Sequence, residues 1–227
     1  MRQTIKIAID GPGGAGKSTI AKDIAKKLNI DYVDTGAMYR AVAYKIIEKK
    51  ISLDDPAGLK EMLDATTIDF AGGDILLDGK IVNDVIRTPE IAGMASDSSA
   101  LPDVRAKLVA LQKEMGRRKS VVMDGRDIGT NVLADAAFKF YLTASEEERA
   151  RRRHEELKQK GQAFSYEKVL KEITERDRND MTRTLNPLRK AEDAIELDTT
   201  EMTIEEVGAE MIRIIQAKAP FELTAPK

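Results

Sequence analysis

Short apolar, β-branched runs alternate along this chain with longer stretches in which apolar residues return at helical spacing. The run from Thr4 to Ile9 reads as a buried parallel strand, and Ile20, Ile24, Ala25 and Leu28 then mark one face of a helix. Strand-like runs recur at Asp31 to Val33, Ser120 to Met123, Lys139 to Leu142 and Ala194 to Leu197. Strands alternating with helices predict an α/β fold: a doubly wound, five-stranded parallel sheet with helices on both faces. One region breaks the rhythm. Between Thr66 and Arg87 the pieces Thr67 to Phe70, Ile75 to Leu77 and Lys80 to Val82 are separated by Gly72-Gly73-Asp74 and Asp78-Gly79, which suit hairpin turns and predict a small antiparallel insert over 66–88. From Ser145 to Gly161 charged residues of both signs crowd a helix that ends in a polar turn.

Composition narrows the class. At 227 residues, with 42% hydrophobic and 33% charged residues, the chain suits one main globular domain with insertions rather than a disordered one. Aromatics are only 4% and the formal charge is -2, so neither a base-stacking platform nor a basic nucleic-acid surface is expected. Cysteine is absent, which excludes disulfides and thiolate sites and gives a cytoplasmic expectation. The chain passes from Met1-Arg2-Gln3 straight into the first strand-like run, so neither a signal peptide nor a membrane span is expected.

The first strand runs into Gly11-Pro12-Gly13-Gly14-Ala15-Gly16-Lys17-Ser18-Thr19, which fits G-x-x-x-x-G-K-[ST], the P-loop. Its glycines let successive N–H groups converge on phosphate oxygens, and the helix that follows adds the positive end of its dipole. Lys17 can reach the β- and γ-phosphates, and the Ser18 hydroxyl can ligate Mg²⁺. The motif predicts a triphosphate site without naming acceptor or reaction. Among the remaining polar residues, Arg40, Arg105, Arg126, Arg176 and Arg183 stand near carboxylates in turn-like places, which is the equipment for a second phosphate.

Five segments resemble the bacterial-type cytidylate kinase family of P-loop nucleoside monophosphate kinases, nearly end to end. They are IDGPGGAGKST, DTGAMYRAVA (Asp34 to Ala43), IRTPEI (Ile86 to Ile91), DGRDIGT (Asp124 to Thr130) and ERDRNDMTRTLNPL (Glu175 to Leu188). The resemblance implies transfer of the ATP γ-phosphoryl to CMP or dCMP in pyrimidine nucleotide metabolism, by a monomer. It implies a core at 1–37, 101–148 and 167–227, a monophosphate-binding region at 38–100 and a short helical lid at 149–166.

Residue by residue, the resemblance places Thr35 and Arg40 near the monophosphate nucleotide, with Arg126 on its phosphate and Asp127 on the cytosine ring. A carboxylate is a natural acceptor for the N4 amino group. Ser96 and Arg105 match base-reading positions, Arg176 and Asp180 ribose positions, and Arg183 an arginine near the transferring phosphates. Arg149, Arg152 and Arg153 match S-x-E-x-R-A-x-R-R and imply lid cations at the reacting phosphoryl.

Blander readings stand beside these. Thr35 could instead cap its helix, Ser96 could be a helix-local hydroxyl, and Arg176, Asp180 and Arg183 could form plain ion pairs on one helix face. Asp124 either orients Mg²⁺ through water or fixes Arg126, and Asp10 is a weaker metal candidate. The lone His154 reads as a surface residue. Alternatives in function are a P-loop kinase for UMP, AMP or another small anion, or a nucleotide switch, although the guanine-specific N-K-x-D is missing.

Overall fold

The computed structural model describes residues 4–159 and 161–218. Met1 to Gln3, Lys160 within the expected lid, and 219–227 at the end of the expected last core segment lie outside the described residues. In chain order the elements are β1 (Lys6–Asp10), α1 (Lys17–Leu28), β2 (Asp31–Asp34), α2 (Thr35–Lys49), α3 (Pro56–Asp64), β3 (Ile68–Ala71), β4 (Asp74–Leu77) and β5 (Lys80–Ile81). They continue with α4 (Pro89–Ser98), α5 (Pro102–Arg118), β6 (Val121–Gly125), β7 (Phe138–Thr143), α6 (Glu146–Gln159), α7 (Tyr166–Thr182), β8 (Ile195–Asp198) and α8 (Ile204–Lys218). Val85–Arg87 forms a 3₁₀ turn and Ile128–Val132 a π-helical turn.

The five-stranded sheet has the order β2-β6-β1-β7-β8, with β1 parallel to both β6 and β7, and β7 parallel to β8. β1 and β6 are buried along nearly their whole length, which explains their unbroken apolar runs. The chain divides into two compact units, Met1–Tyr32 with Lys119–Lys227, and Val33–Arg118. The second unit takes in α2 to α5 and the strands between them.

In the first unit, Ile7, Ile9, Val122, Phe138, Phe140 and Leu142 of the strands pack with Ile20 and Ile24 of α1 and with Val207, Met211 and Ile215 of α8. The apolar spacing that predicts α1 is thus the spacing that faces the sheet. α6 and α7 close a smaller core of Ala150, Leu157, Val169 and Ile173. Ser165 caps α7, its hydroxyl accepting from the Lys168 N–H.

In the second unit, Asp34, Asp55 and Thr88 cap α2, α3 and α4 with their side chains, and Pro follows the cap in α3 and α4. β3, β4 and β5 form a separate antiparallel sheet. Both its turns have positive φ at two successive residues, Gly72 and Gly73 (62° and 93°), then Asp78 and Gly79 (50° and 77°). That is the hairpin chemistry for which Gly and Asp-Gly are suited. Among the described residues no helix is long and apolar enough to cross a membrane.

Candidate active site

β1 delivers the chain directly into the glycine loop. Gly11, Gly14 and Gly16 have φ of 141°, 81° and 83°, conformations that a side chain would strain. Space is equally restrictive at Gly11, where a Cβ would stand 1.9 Å from the Leu142 carbonyl oxygen of β7. Pro12, Ala15 and Lys17 are buried, whereas Gly14, Ser18 and Thr19 are exposed. The Lys17 Nζ donates to the Pro12 carbonyl at 2.6 Å. Its pKa is lowered to about 7, first by burial and then by the Arg126 charge, with Asp124 pulling the other way.

Ser18 donates through Oγ to Asp124 Oδ2 at 2.7 Å, and the Tyr32 hydroxyl donates to Asp124 Oδ1 at 2.8 Å. Asp124, near the end of β6, therefore meets the hydroxyl of the phosphate loop. Asp10 has a different occupation: Oδ1 accepts from the Ile128 N–H at 2.8 Å and Oδ2 from the Gly129 N–H at 2.7 Å. Burial raises its pKa to about 6 against those two bonds. A structural clamp is thus visible where the sequence suggests only a weak metal candidate.

Arg126 lies on the loop after β6, with Nη2 3.5 Å from where a Gly13 Cβ would be. Its Nε donates to Asp180 Oδ2 at 2.7 Å. Burial works against its charge, but Asp180, then Asp177 and Asp124, outweigh burial and raise its pKa. Asp180 in turn is held below the usual carboxylate range: burial opposes this, and Arg126, Arg176 and Arg183 prevail. Arg183 reaches Asp127 Oδ1 at 3.3 Å and Asp180 Oδ1 at 3.5 Å, and donates to the Asn186 carbonyl. Asp127 is buried and also accepts from Asn131 Nδ2. Arg176 and Asp180 lie on α7, but Arg183 is its C-cap with extended backbone, so the expectation of a single helix carrying all three fails by one residue.

The arginines of α6 differ from one another. Arg149 is buried: its Nε donates to the Ala144 carbonyl, and its Nη1 to the Gly13 carbonyl at 3.0 Å and to Asp177 Oδ2 at 2.5 Å. A Cβ on Gly14 would lie 3.0 Å from Arg149 Cβ, so the glycine is what lets loop and helix approach. Arg152 bonds Glu148 and Thr199, and Arg153 bonds Glu156. Asp177 escapes sequence reasoning because its partner is 28 residues away. His154 is half-buried, with Nε2 3.0 Å from the Phe164 carbonyl oxygen and its ring edge-on to Tyr166, so it belongs to the α6–α7 contact rather than the open surface.

In the second unit the cap of α2 is Asp34, whose Oδ1 accepts from the Ala37 N–H at 2.8 Å. Thr35 is the buried first helical residue, so the cap reading of Thr35 is corrected by one position. Arg40 lies over that first turn, Nη2 3.4 Å from Asp34 Oδ2 and Nη1 3.3 Å from where a Gly36 Cβ would be. Arg105 is buried on α5, donates to the Ser99 carbonyl at 3.3 Å and stands 5.8 Å from the Tyr39 ring centre. Ser96 is half-buried on α4, and its carbonyl accepts from Ser99 Oγ.

The chain is similar to known proteins along nearly its whole length. The cytidylate kinase family profile matches residues 7–217. A cytidylate kinase from Carboxydothermus hydrogenoformans is 52% identical over 218 residues, covering 94% of this chain and 98% of that protein. One from Caldanaerobacter subterraneus subsp. tengcongensis is 50% identical over 220 residues, covering 97% and 98%. Among solved structures, an uncharacterized protein from Eubacterium ventriosum aligns with a TM-score of 0.53 at 15% identity, covering 95% of this chain and 99% of that one, a likeness of fold alone. With a glycine loop followed by Lys17 and Ser18, and with relatives matching at half of all positions over almost the full length, this chain belongs to the cytidylate kinase family.

Proposed function

We propose that the protein transfers the γ-phosphoryl of ATP to CMP or dCMP, giving ADP and CDP or dCDP. The observation that carries this reading is Arg126: its guanidinium faces the glycine loop while its chain neighbour Asp127 presents a buried carboxylate. An arginine suited to a phosphate therefore stands against the donor loop, and the next residue is an acid suited to a base amino group.

On the donor side, the loop from Gly11 to Thr19, through the backbone N–H groups of every residue but Pro12, and the α1 N-terminus receive the ATP phosphates. A nearby polyphosphate would favour the charged form of Lys17, whose pKa burial and Arg126 bring to about 7. The Ser18 hydroxyl and Asp124 carboxylate are adjacent hard oxygens, and no group of three or more acidic or histidine side chains that could hold a metal occurs among the described residues. That donor set fits Mg²⁺, which keeps most of its shell as water and substrate phosphate. Ser18 would hold it directly and Asp124 through water, and the ion would neutralise charge on the β- and γ-phosphates.

In the transfer itself an oxygen of the monophosphate bonds to the γ-phosphorus while the bond from that phosphorus to the β–γ bridging oxygen breaks. The attacking oxygen is already anionic, so no general base is needed. Arg126 and Arg183 hold phosphate charge, Asp127 accepts from cytosine N4, and Arg176 and Asp180 meet the ribose. Within the second unit, Thr35, Arg40, Ser96 and Arg105 are the proposed contacts to the monophosphate nucleotide. Arg152 and Arg153 are the α6 cations offered to the moving phosphoryl, whereas Arg149 acts by bracing the loop. The reading carries with it a cytoplasmic monomer that binds neither nucleic acid nor membrane.

Asp127→Asn tests it. Losing a charged hydrogen bond to the base should raise KM for CMP about tenfold or more while leaving KM for ATP within about threefold. An equal rise in both would refute the base-reading role.

A further inference from the structure

Asp10 is the last residue of β1, immediately before the glycine loop, yet both of its carboxylate oxygens are spent elsewhere. They accept from the consecutive N–H groups of Ile128 and Gly129 at 2.8 and 2.7 Å. Those amides open the turn Ile128–Val132, where helical N–H groups lack partners within the turn itself. The β1–β6 register makes this reach possible, since Asp10 stands beside Gly125. Asp10 is buried, with 3% of its surface exposed, so water does not substitute for it.

The clamped peptide directly follows Asp127. The Asp127 carbonyl accepts from the Asn131 and Val132 N–H groups at 3.0 and 3.2 Å, so the turn also fixes the backbone from which the Asp127 side chain projects. The fit is close on the far side too: a Cβ on Gly129 would lie 3.2 Å from Lys139 Cδ and 3.3 Å from Asp10 Oδ2. Two parallel donors need two acceptors. An amide would present one oxygen and point its NH₂ at an N–H.

We propose that Asp10 is a positioning residue for the acceptor nucleotide: although it leads into the donor loop, its carboxylate fixes the backbone that aims Arg126 and Asp127. This rests on the reading of those two residues as acceptor contacts. The consequence is an asymmetry that adjacency in sequence would not suggest, with damage at Asp10 felt by CMP rather than by ATP.

The test compares steady-state kinetics of the full chain with Asp10→Asn, Gly129→Ala and Asp127→Asn, together with amide hydrogen exchange. Asp10→Asn should raise KM for CMP about tenfold, keep KM for ATP within about threefold, and speed exchange at Ile128 and Gly129 about tenfold. Gly129→Ala, which presses on the same clamp while keeping the carboxylate, should move CMP in the same direction and serves if Asp10→Asn does not fold. Equal rises in both KM values, or unchanged exchange at the two amides, overturn the proposal. A flat response to Asp10→Asn beside a raised CMP KM in Asp127→Asn overturns it while the functional reading stands. If Asp127→Asn is flat as well, both fall together.

Discussion

Arg149 and Asp177 form a buried ion pair at 2.5 Å, their side chains only 4% and 6% exposed. Among the described residues Asp177 Oδ1 is buried without a hydrogen-bond partner, so Arg149 carries most of the compensation for that charge. Arg149→Ala should therefore cost about 3–5 kcal/mol in urea denaturation, with much of the loss recovered in the double variant Arg149→Met/Asp177→Leu. A solvated lid cation would cost under about 1 kcal/mol, and that outcome would return Arg149 to the mobile role its sequence pattern implies.

The Asp10 clamp has a stability cost that pH reveals. Burial raises the carboxyl from 3.8 to about 6, opposed by the Gly129 and Ile128 N–H groups, with Asp127 adding to the rise and Lys17 opposing it. The folded state favours the protonated acid, so the contribution is fully present below about pH 3.8 and lost as pH rises through about 6. Relative to Asp10→Asn, the native protein should lose about 2 kcal/mol between pH 4 and 7. Denaturation of both proteins across that range measures it, and a difference that stays flat or grows with pH contradicts the assignment.

The glycines of the loop are not equivalent. Gly11→Ala would drive a methyl into the Leu142 carbonyl at 1.9 Å in a backbone with φ of 141°, so it should abolish folding or cost more than about 4 kcal/mol. At Gly13 the nearest atom to an added Cβ is Arg126 Nη2 at 3.5 Å, an ordinary contact. Gly13→Ala should leave stability within about 0.5 kcal/mol. Thermal melts of the two variants decide the point, and similar losses would contradict it.

The centre of the sheet was legible because β1 and β6 are buried along nearly their whole length, which leaves apolar runs in the chain. Strand ends were less so: β1 extends to Asp10 and β6 to Gly125, because pairing between neighbours, not hydrophobicity, decides where a strand stops. The hairpin insert announced itself through Gly72-Gly73 and Asp78-Gly79, whose positive φ is a local requirement. Long-range partnerships left no such trace. Nothing near Asp10 indicates amides 118 and 119 positions away, and nothing near Arg149 indicates Asp177. The motifs identified which residues bear the chemistry. Which of them are already committed to one another, as Arg126 is to Asp180 and Arg183 to Asp127, required the fold.

The most direct test of the central claim is ADP release from ATP in a coupled assay with CMP, dCMP, UMP and AMP as alternative acceptors. The site described here predicts that kcat/KM for CMP and dCMP exceeds that for UMP and AMP by about tenfold or more, the worth of a buried polar group matched to its base. Equal use of the four, or hydrolysis of ATP that no monophosphate alters, would contradict it.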